Sequence, residues 1–474
     1  MPTAVQQEKP LLLSPVTEED LGRLQVHLPA LKILSYRGPG ESGGVSRSLE
    51  PVVKQLGTKI HWLALSGVPN ASEEKSYGFS FHKPTLPESL IYGHGKCALD
   101  YLWPLLHGMP ERARFDAADW RAFRQLSEHL ATEALRISTG SFPTLCWLHD
   151  YHMALVAPLM SIEAGIVPCQ FWHVPWPEAE VMTASPVARE ITSALLANKL
   201  LGFHTQEYAT NFLNTVMEVI PNAAVDVLNM QVRVNRSLTT IVTMPLGLDF
   251  AYWQRLSKAS RPKAAAIPKK YGLAHQVVLG VDRLDYTKGV IEKLQALSTF
   301  MTSNPSWLRR FHYVQLAQPP QSNRAEFTEY AALVRAKVGE INERHRTDGW
   351  EPVVLQEGHF DHAELAAWYQ AADALLVTPV RDGLNLIGKE YVACRQDEQG
   401  ALILSRSAGS AAELSTGALV VDPHKPDQIA DALAQALTMG FEEKRRRMHS
   451  MRHIVGWNQL HDWALGFLRL AIAR

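Results

Sequence analysis

The chain has 474 residues, of which 46% are hydrophobic and 20% charged, and its formal net charge at pH 7 is -1. That length calls for two or three cores rather than one. The composition is that of a folded globular protein, and the near-zero charge excludes nucleic acid or an anionic membrane as a bulk partner. Any anion must therefore be met by a local cluster of cations. Cys97, Cys146, Cys169 and Cys394 are scattered without a C-x-x-C spacing and read as free thiols of a reducing compartment. No apolar run approaches the roughly 18 to 20 residues of a membrane span. The first residues lack the basic-then-apolar pattern of a signal peptide, so the expected location is cytoplasmic.

In chain order, residues 1–28 read as an extension with one short helix over 18–28. A strand, LKILSYR (31–37), runs into the glycine-rich loop GPGESGG (38–44), then a helix over 45–56 and a second strand, KIHWLAL (59–65). Residues 68–95 are polar and turn-rich, and helical periodicity returns over 98–107 and 119–135. Short apolar runs then alternate with helical stretches: LCWLHD (145–150), CQFWHVPW (169–176), KLLGFHT (199–205) and TIVTMPLG (240–247). A second series starts after Asp249, with VVLGVDR (277–283), FHYVQLAQ (311–318), PVVLQEG (352–358), ALLVTPVRDG (374–383), ALILS (401–405) and ALVV (418–421). Strands alternating with helices predict βαβ units on mainly parallel sheets. Two such series predict two doubly wound domains, with ligands beyond the carboxyl ends of the strands. FEEKRRRM (441–448) reads as a solvated helix face, and residues 456–474 as one amphipathic helix.

The stretch QVVLGVDRLDYTKGV (276–290) delivers Arg283 and Lys288 from a buried strand to a loop closed by Gly289. A guanidinium fork, a mobile ammonium and a following helix N-terminus suit a pyrophosphate. Cations paired with Asp282 and Asp285 on a surface loop satisfy the same spacing, and spacing alone leaves both readings open. His149-x-x-His152 is the one spacing that suggests zinc, but on a strand-to-loop segment it makes a poor metal site, and no metal is expected.

WLHDYH (147–152), FWHVPWP (171–177), GFHT (202–205), TPVRDGLNLIGKEYVAC (378–394) and LSRSAGSAAEL (404–414) occur in this order. Together they resemble the trehalose-6-phosphate synthase family, glycosyltransferase family 20, over about residues 30–470. The resemblance implies the GT-B architecture, two facing Rossmann-like domains with the active site in the cleft between them. It places an acceptor domain at 29–248, a nucleotide-sugar domain at 249–456, and a helix at 457–474 that crosses back to the first domain. It implies retaining transfer of glucose from UDP-, ADP- or GDP-glucose to a phosphorylated sugar or polyol, with no cofactor and no covalent glycosyl-enzyme. Arg283 and Lys288 match the cations on the leaving diphosphate, while Asp150 and His173 match residues at the transferred glucose. Gly43, Gly44, Asp382, Gly383, Asn385, Leu386 and Glu390 match the donor site: Asp382 for sugar hydroxyls, 383–386 for phosphate through backbone amides, and Glu390 for the ribose. His204 reads as structural and Lys389 as solvated.

The acceptor half departs from the family pattern. Arg37 and Trp103 match acceptor-binding positions, but the segment LWPLLHGM (102–109) carries Gly108 and Met109 where the family has Tyr and Arg. The phosphate-binding tyrosine falls by count on His94, with Tyr92 nearby, and the second phosphate arginine falls on Gln321, with Arg324 three residues on. The expected product is α,α-trehalose 6-phosphate from glucose 6-phosphate. The alternatives are a glucosylglycerol-phosphate synthase using glycerol 3-phosphate, or a non-catalytic sugar-phosphate-binding regulator. A separate phosphatase is the expected downstream partner, and a homo-oligomer is compatible with the sequence.

Overall fold

A computed structural model describes residues 30–41, 43–56, 60–66, 79–139, 143–273, 276–320 and 322–472. The helix expected over 18–28 and the position Gln321 lie outside them. Among the described residues, those up to Leu246 together with those from Leu460 form one compact unit, and Gly247–Gln459 form the second.

The first unit is built on nine strands: β1 (Ala30–Arg37), β2 (Ile60–Ser66), β3 (Ser80–His82), β4 (Thr144–His149), β5 (Ile166–Phe171), β6 (Leu200–Phe203), β7 (Ala223–Asp226), β8 (Gln231–Val234) and β9 (Ser237–Thr243). Their order is β3-β2-β1-β4-β5-β6-β9-β8-β7. All neighbours are parallel except the β7–β8–β9 meander at one edge. β1 pairs with β2 on one side, Leu31 opposite Ile60, and with β4 on the other, Leu31 opposite Leu145. The winding reverses there, so Arg37 and Asp150 leave the sheet beside a topological switch point, where doubly wound sheets bind ligands.

The second unit has six parallel strands, β10 (Gln276–Arg283), β11 (Phe311–Gln318), β12 (Val353–Glu357), β13 (Ala374–Val377), β14 (Ala401–Ser405) and β15 (Leu419–Val421), in the order β12-β11-β10-β13-β14-β15. Its switch point lies between β10 and β13, where Val278 faces Ala374. The carboxyl ends of those two strands carry Arg283 and the 378–386 loop. Val278, Leu279, Leu375 and Leu376 are fully buried, as expected of parallel strands covered on both faces.

Three expectations are corrected. The polar stretch 68–95 contains β3 and most of a helix, Glu88–Lys96, whose single face buries Leu90, Gly93 and His94. The β7–β8 hairpin was not foreseen, because its half-exposed residues lack a strong apolar alternation. FEEKRRRM opens a helix, Phe441–Trp457, that ends before Asn458. A separate helix begins at Leu460 and runs to Ile472. Its Trp463 and Phe467 pack on Trp147 and Phe171 of the first unit. No helix among the described residues is long and apolar enough to cross a membrane.

Candidate active site

In the second unit β10 ends at Arg283 and the chain turns through Tyr286–Lys288. Asp285 holds this turn, its Oδ1 accepting from the backbone N–H and hydroxyl of Thr287, both at 3.0 Å. Gly289 closes it at φ 65, and a Cβ there would lie 2.2 Å from the Thr378 carbonyl oxygen. Gly289→Ala therefore faces both left-handed strain and a backbone clash, and should cost at least about 2 kcal/mol in a urea titration. The adjoining loop is tied on by the Val380 N–H, which donates to the Thr287 carbonyl at 2.8 Å.

The cations are held in different ways. Arg283 Nη2 lies 3.5 Å from Asp285 Oδ2. Lys288 Nζ lies 2.6 Å from Asp382 Oδ2, which also accepts from Asn385 Nδ2 at 3.1 Å. Asp282 pairs with the fully buried Lys293 of the following helix, Val290–Ser303, so it is not the partner of either loop cation. That helix does not offer its first amides to a ligand as expected. The Tyr330 hydroxyl accepts from the N–H groups of Val290 and Ile291 at 3.0 and 3.3 Å.

Beyond β13, Gly383 and Leu384 are buried and Asn385 takes φ 70, with its Oδ1 accepting from the Ile387 N–H at 3.2 Å. Leu386 caps the helix Ile387–Cys394. One turn in, Glu390 accepts a 2.7 Å hydrogen bond from the buried Tyr369 hydroxyl, so the side chain is oriented rather than free. Lys389 is not solvated. It is 1% exposed and paired with Glu413, a residue of the 404–414 motif. All seven residues expected at the donor diphosphate and sugar in this unit thus lie on two adjoining strand–loop–helix segments. Asp285 reads from the sequence as a partner of the loop cations, whereas Tyr330, Tyr369 and Glu413, which brace these segments, escape sequence reasoning because their partners are distant in the chain.

In the first unit Arg37 runs across Gly43, whose added Cβ would sit 3.3 Å from Arg37 Cδ. Gly44 opens the helix Gly44–Leu56, and a Cβ there meets nothing within 4 Å, so its backbone is approachable. Asp150 takes φ 68, unusual for a residue with a side chain. Its backbone N–H bonds the Phe171 carbonyl at 2.8 Å, and its Oδ1 accepts from the His173 N–H at 3.1 Å. Burial pushes its carboxyl up to about 6, against backbone hydrogen bonds that lower it.

The folded carboxyl therefore keeps a proton that the unfolded chain releases near pH 4. Stability from this group is present below that pH and declines as pH rises through about 6. The difference in Tm between wild type and Asp150→Asn should shift in favour of the variant across that window and stay level above it.

His173 engages both ring nitrogens inside the protein, Nε2 with His149 Nδ1 at 3.1 Å and Nδ1 with His204 Nε2 at 3.2 Å. Desolvation holds its basicity down to about 3.

Trp103 is 8% exposed and lies beside the ring of His107, the centroids 4.1 Å apart. The departure at Gly108 and Met109 has a structural reading. Met109 N–H bonds the Pro104 carbonyl and Gly108 N–H bonds that of Leu105, with Gly108 at φ 71. This is a Schellman ending, which only a residue tolerant of left-handed backbone makes cheaply.

His94 is corrected as a phosphate ligand. It is fully buried, stacked on Phe123 at 4.8 Å and close to Tyr36 and His152. Burial drives its basicity down to about 3, so it is a neutral ring without access to an anion. Tyr92 is exposed. Arg324 stands in the second unit as the N-cap of the helix Ala325–His345. His152 stacks on Tyr36 at 4.0 Å rather than pairing with His149. Among the described residues no group of three His, Cys, Asp or Glu is placed to hold a metal.

Two doubly wound units, with cations, a paired aspartate and an oriented glutamate at the switch point of one, define a glycosyltransferase of the GT-B class. The sequence matches glycosyltransferase family 20 over residues 35–472, and the chain belongs to that family. It is 33% identical over 476 residues to a bifunctional trehalose-6-phosphate synthase/phosphatase of Thermoproteus tenax, covering 97% of this chain and 62% of that protein's length. It is 32% identical over 437 residues to an α,α-trehalose-phosphate synthase [UDP-forming] of Candida albicans, covering 89% and 90%. The fold is similar to that of an α,α-trehalose-phosphate synthase (UDP-forming) from Burkholderia xenovorans in complex with glucose-6-phosphate. That match has a TM-score of 0.85 and 25% identity, and covers 93% of this chain and 99% of the other. It is likewise similar to an E. coli structure bound with UDP-2-fluoro glucose, with a TM-score of 0.86 and 25% identity, covering 93% and 98%.

Proposed function

We propose that this enzyme transfers glucose, with retention, from a nucleotide-glucose to glucose 6-phosphate, giving α,α-trehalose 6-phosphate. The observation that carries the reading is the Lys288–Asp382 pair beside Arg283. A diphosphate drawn to Lys288 would release Asp382 to the sugar hydroxyls, so a single ligand answers both charges. The difficult step is departure of a nucleoside diphosphate from an oxocarbenium-like centre. Arg283 and Lys288 meet the developing charge on the leaving oxygens, and pre-organised cations need no reorganisation as it grows. Glu390, steadied by Tyr369, takes the ribose hydroxyls, and backbone amides of 383–386 take phosphate oxygens. No metal is needed for the charge balance. The relatives named as UDP-forming favour UDP-glucose as donor.

A second acceptor, glycerol 3-phosphate, is the alternative because the acceptor segment departs from the family pattern. Gly108 and Met109 form a Schellman ending, and the enclosed, neutral His94 stands at the counted phosphate position. Both acceptors are phosphomonoesters, so the departure marks a changed pocket and does not choose between them. Mass spectrometry of products from UDP-, ADP- or GDP-glucose with each acceptor decides. A disaccharide phosphate supports the first reading and a glucosylglycerol phosphate the second. No product from any pair, with nucleotide-sugar binding intact, sinks both and leaves a binding protein.

A further inference from the structure

Three histidines from successive strand ends of the first unit form one hydrogen-bonded line. His149 closes β4, His173 follows β5 and His204 follows β6. The contacts are His149 Nδ1 to His173 Nε2 at 3.1 Å and His173 Nδ1 to His204 Nε2 at 3.2 Å. The line starts at the Leu246 backbone N–H, which donates to His204 Nδ1 at 3.3 Å. A backbone amide can only donate, and that fixes the direction of every bond after it.

With His204 Nδ1 an acceptor, its Nε2 carries the hydrogen and donates to His173 Nδ1. His173 then carries its own hydrogen on Nε2 and donates to His149 Nδ1, leaving the last hydrogen on His149 Nε2. That nitrogen is buried and has no protein partner among the described residues. Each contact holds one proton, and an added proton would put two N–H groups face to face.

We propose that His204 is a positioning residue: with the Leu246 amide it holds His173 as the uncharged Nε2–H tautomer. This rests on the reading of His173 as a neighbour of the transferred sugar. An imidazolium there would oppose positive charge developing on the sugar. The ionisable groups facing His173 are His149 and Asp150 at the end of β4 and His204 beyond β6. Asp150 meets its backbone N–H rather than its ring, and Phe171 and Trp463 cover the ring with hydrocarbon. Burial lowers the basicity of His149 and His173 in the same direction.

The test is long-range proton–nitrogen NMR on the full chain labelled at histidine, between pH 5.5 and 8. His149, His173 and His204 should each read as neutral Nε2–H throughout. His204→Gln keeps an acceptor and a donor at similar spacing, and should leave the His173 tautomer unchanged and kcat/KM within about threefold. His204→Leu should let His173 sample the Nδ1–H tautomer as well and lower kcat/KM by about tenfold, the scale of one hydrogen bond. A His173 imidazolium or Nδ1–H form in the wild type overturns the proposal, as does an unchanged His173 spectrum in His204→Leu. Should that variant fail to fold, the wild-type and His204→Gln spectra decide alone. The spectra do not depend on turnover, so an error in the assigned reaction would leave them unmoved.

Discussion

Arg283→Ala is expected to lower turnover by about 100-fold or more, the scale of losing one key donor to transition-state charge. The guanidinium stands partly exposed at the carboxyl end of β10, its Nη2 3.5 Å from Asp285 Oδ2. Urea midpoints of variant and wild type should agree while kcat falls. The loss should appear in kcat more than in KM, because the charge on the leaving diphosphate is largest in the transition state. Turnover within tenfold of wild type would remove Arg283 from the proposed mechanism. Arg283→Lys should recover only part of the loss, since an ammonium cannot form the planar fork.

Asp282→Ala is expected to destabilise the second unit by about 3–5 kcal/mol, the cost of leaving a buried charge without its partner. Lys293 is 0% exposed and paired with Asp282, and Gln315 Nε2 donates to the same carboxylate oxygen at 3.1 Å. Removing the carboxylate strands an ammonium beneath the loop that carries Arg283, so activity should fall along with stability. The double variant Asp282→Leu, Lys293→Met removes both charges, and should regain much of the lost stability because an apolar replacement of a buried pair is often near neutral. Urea denaturation of the three proteins decides. A cost below about 1 kcal/mol for the single variant would mean that Lys293 finds another partner or reaches water.

Much of this was legible in the sequence where a residue's role depends on its immediate neighbours. FHYVQLAQ and ALILS became β11 and β14 with the bounds read from their apolar runs, because strands buried on both faces carry a continuous signal. The 276–290 and 374–394 segments are single strand–loop–helix units, so their residues fall together by local geometry. Partnerships made across the chain were not legible. Tyr330 caps a helix that starts 40 residues earlier, Tyr369 orients Glu390, and Glu413 buries Lys389. The enclosure of His94 depends on Tyr36, Phe123 and His152 from three other elements, and no count along the sequence reports that.

Helix Leu460–Ile472 completes the first unit although the whole second unit precedes it in the chain. A ribosome making roughly 5–20 residues per second needs about 10–40 s to add the intervening segment. During that time Trp147 and Phe171 lack the covering rings of Trp463 and Phe467. The second unit, contiguous in sequence, is free to fold as it emerges, whereas the half made first has to wait for its final layer. Folding order therefore runs against synthesis order, and the newborn protein carries an aromatic surface that holding chaperones would recognise.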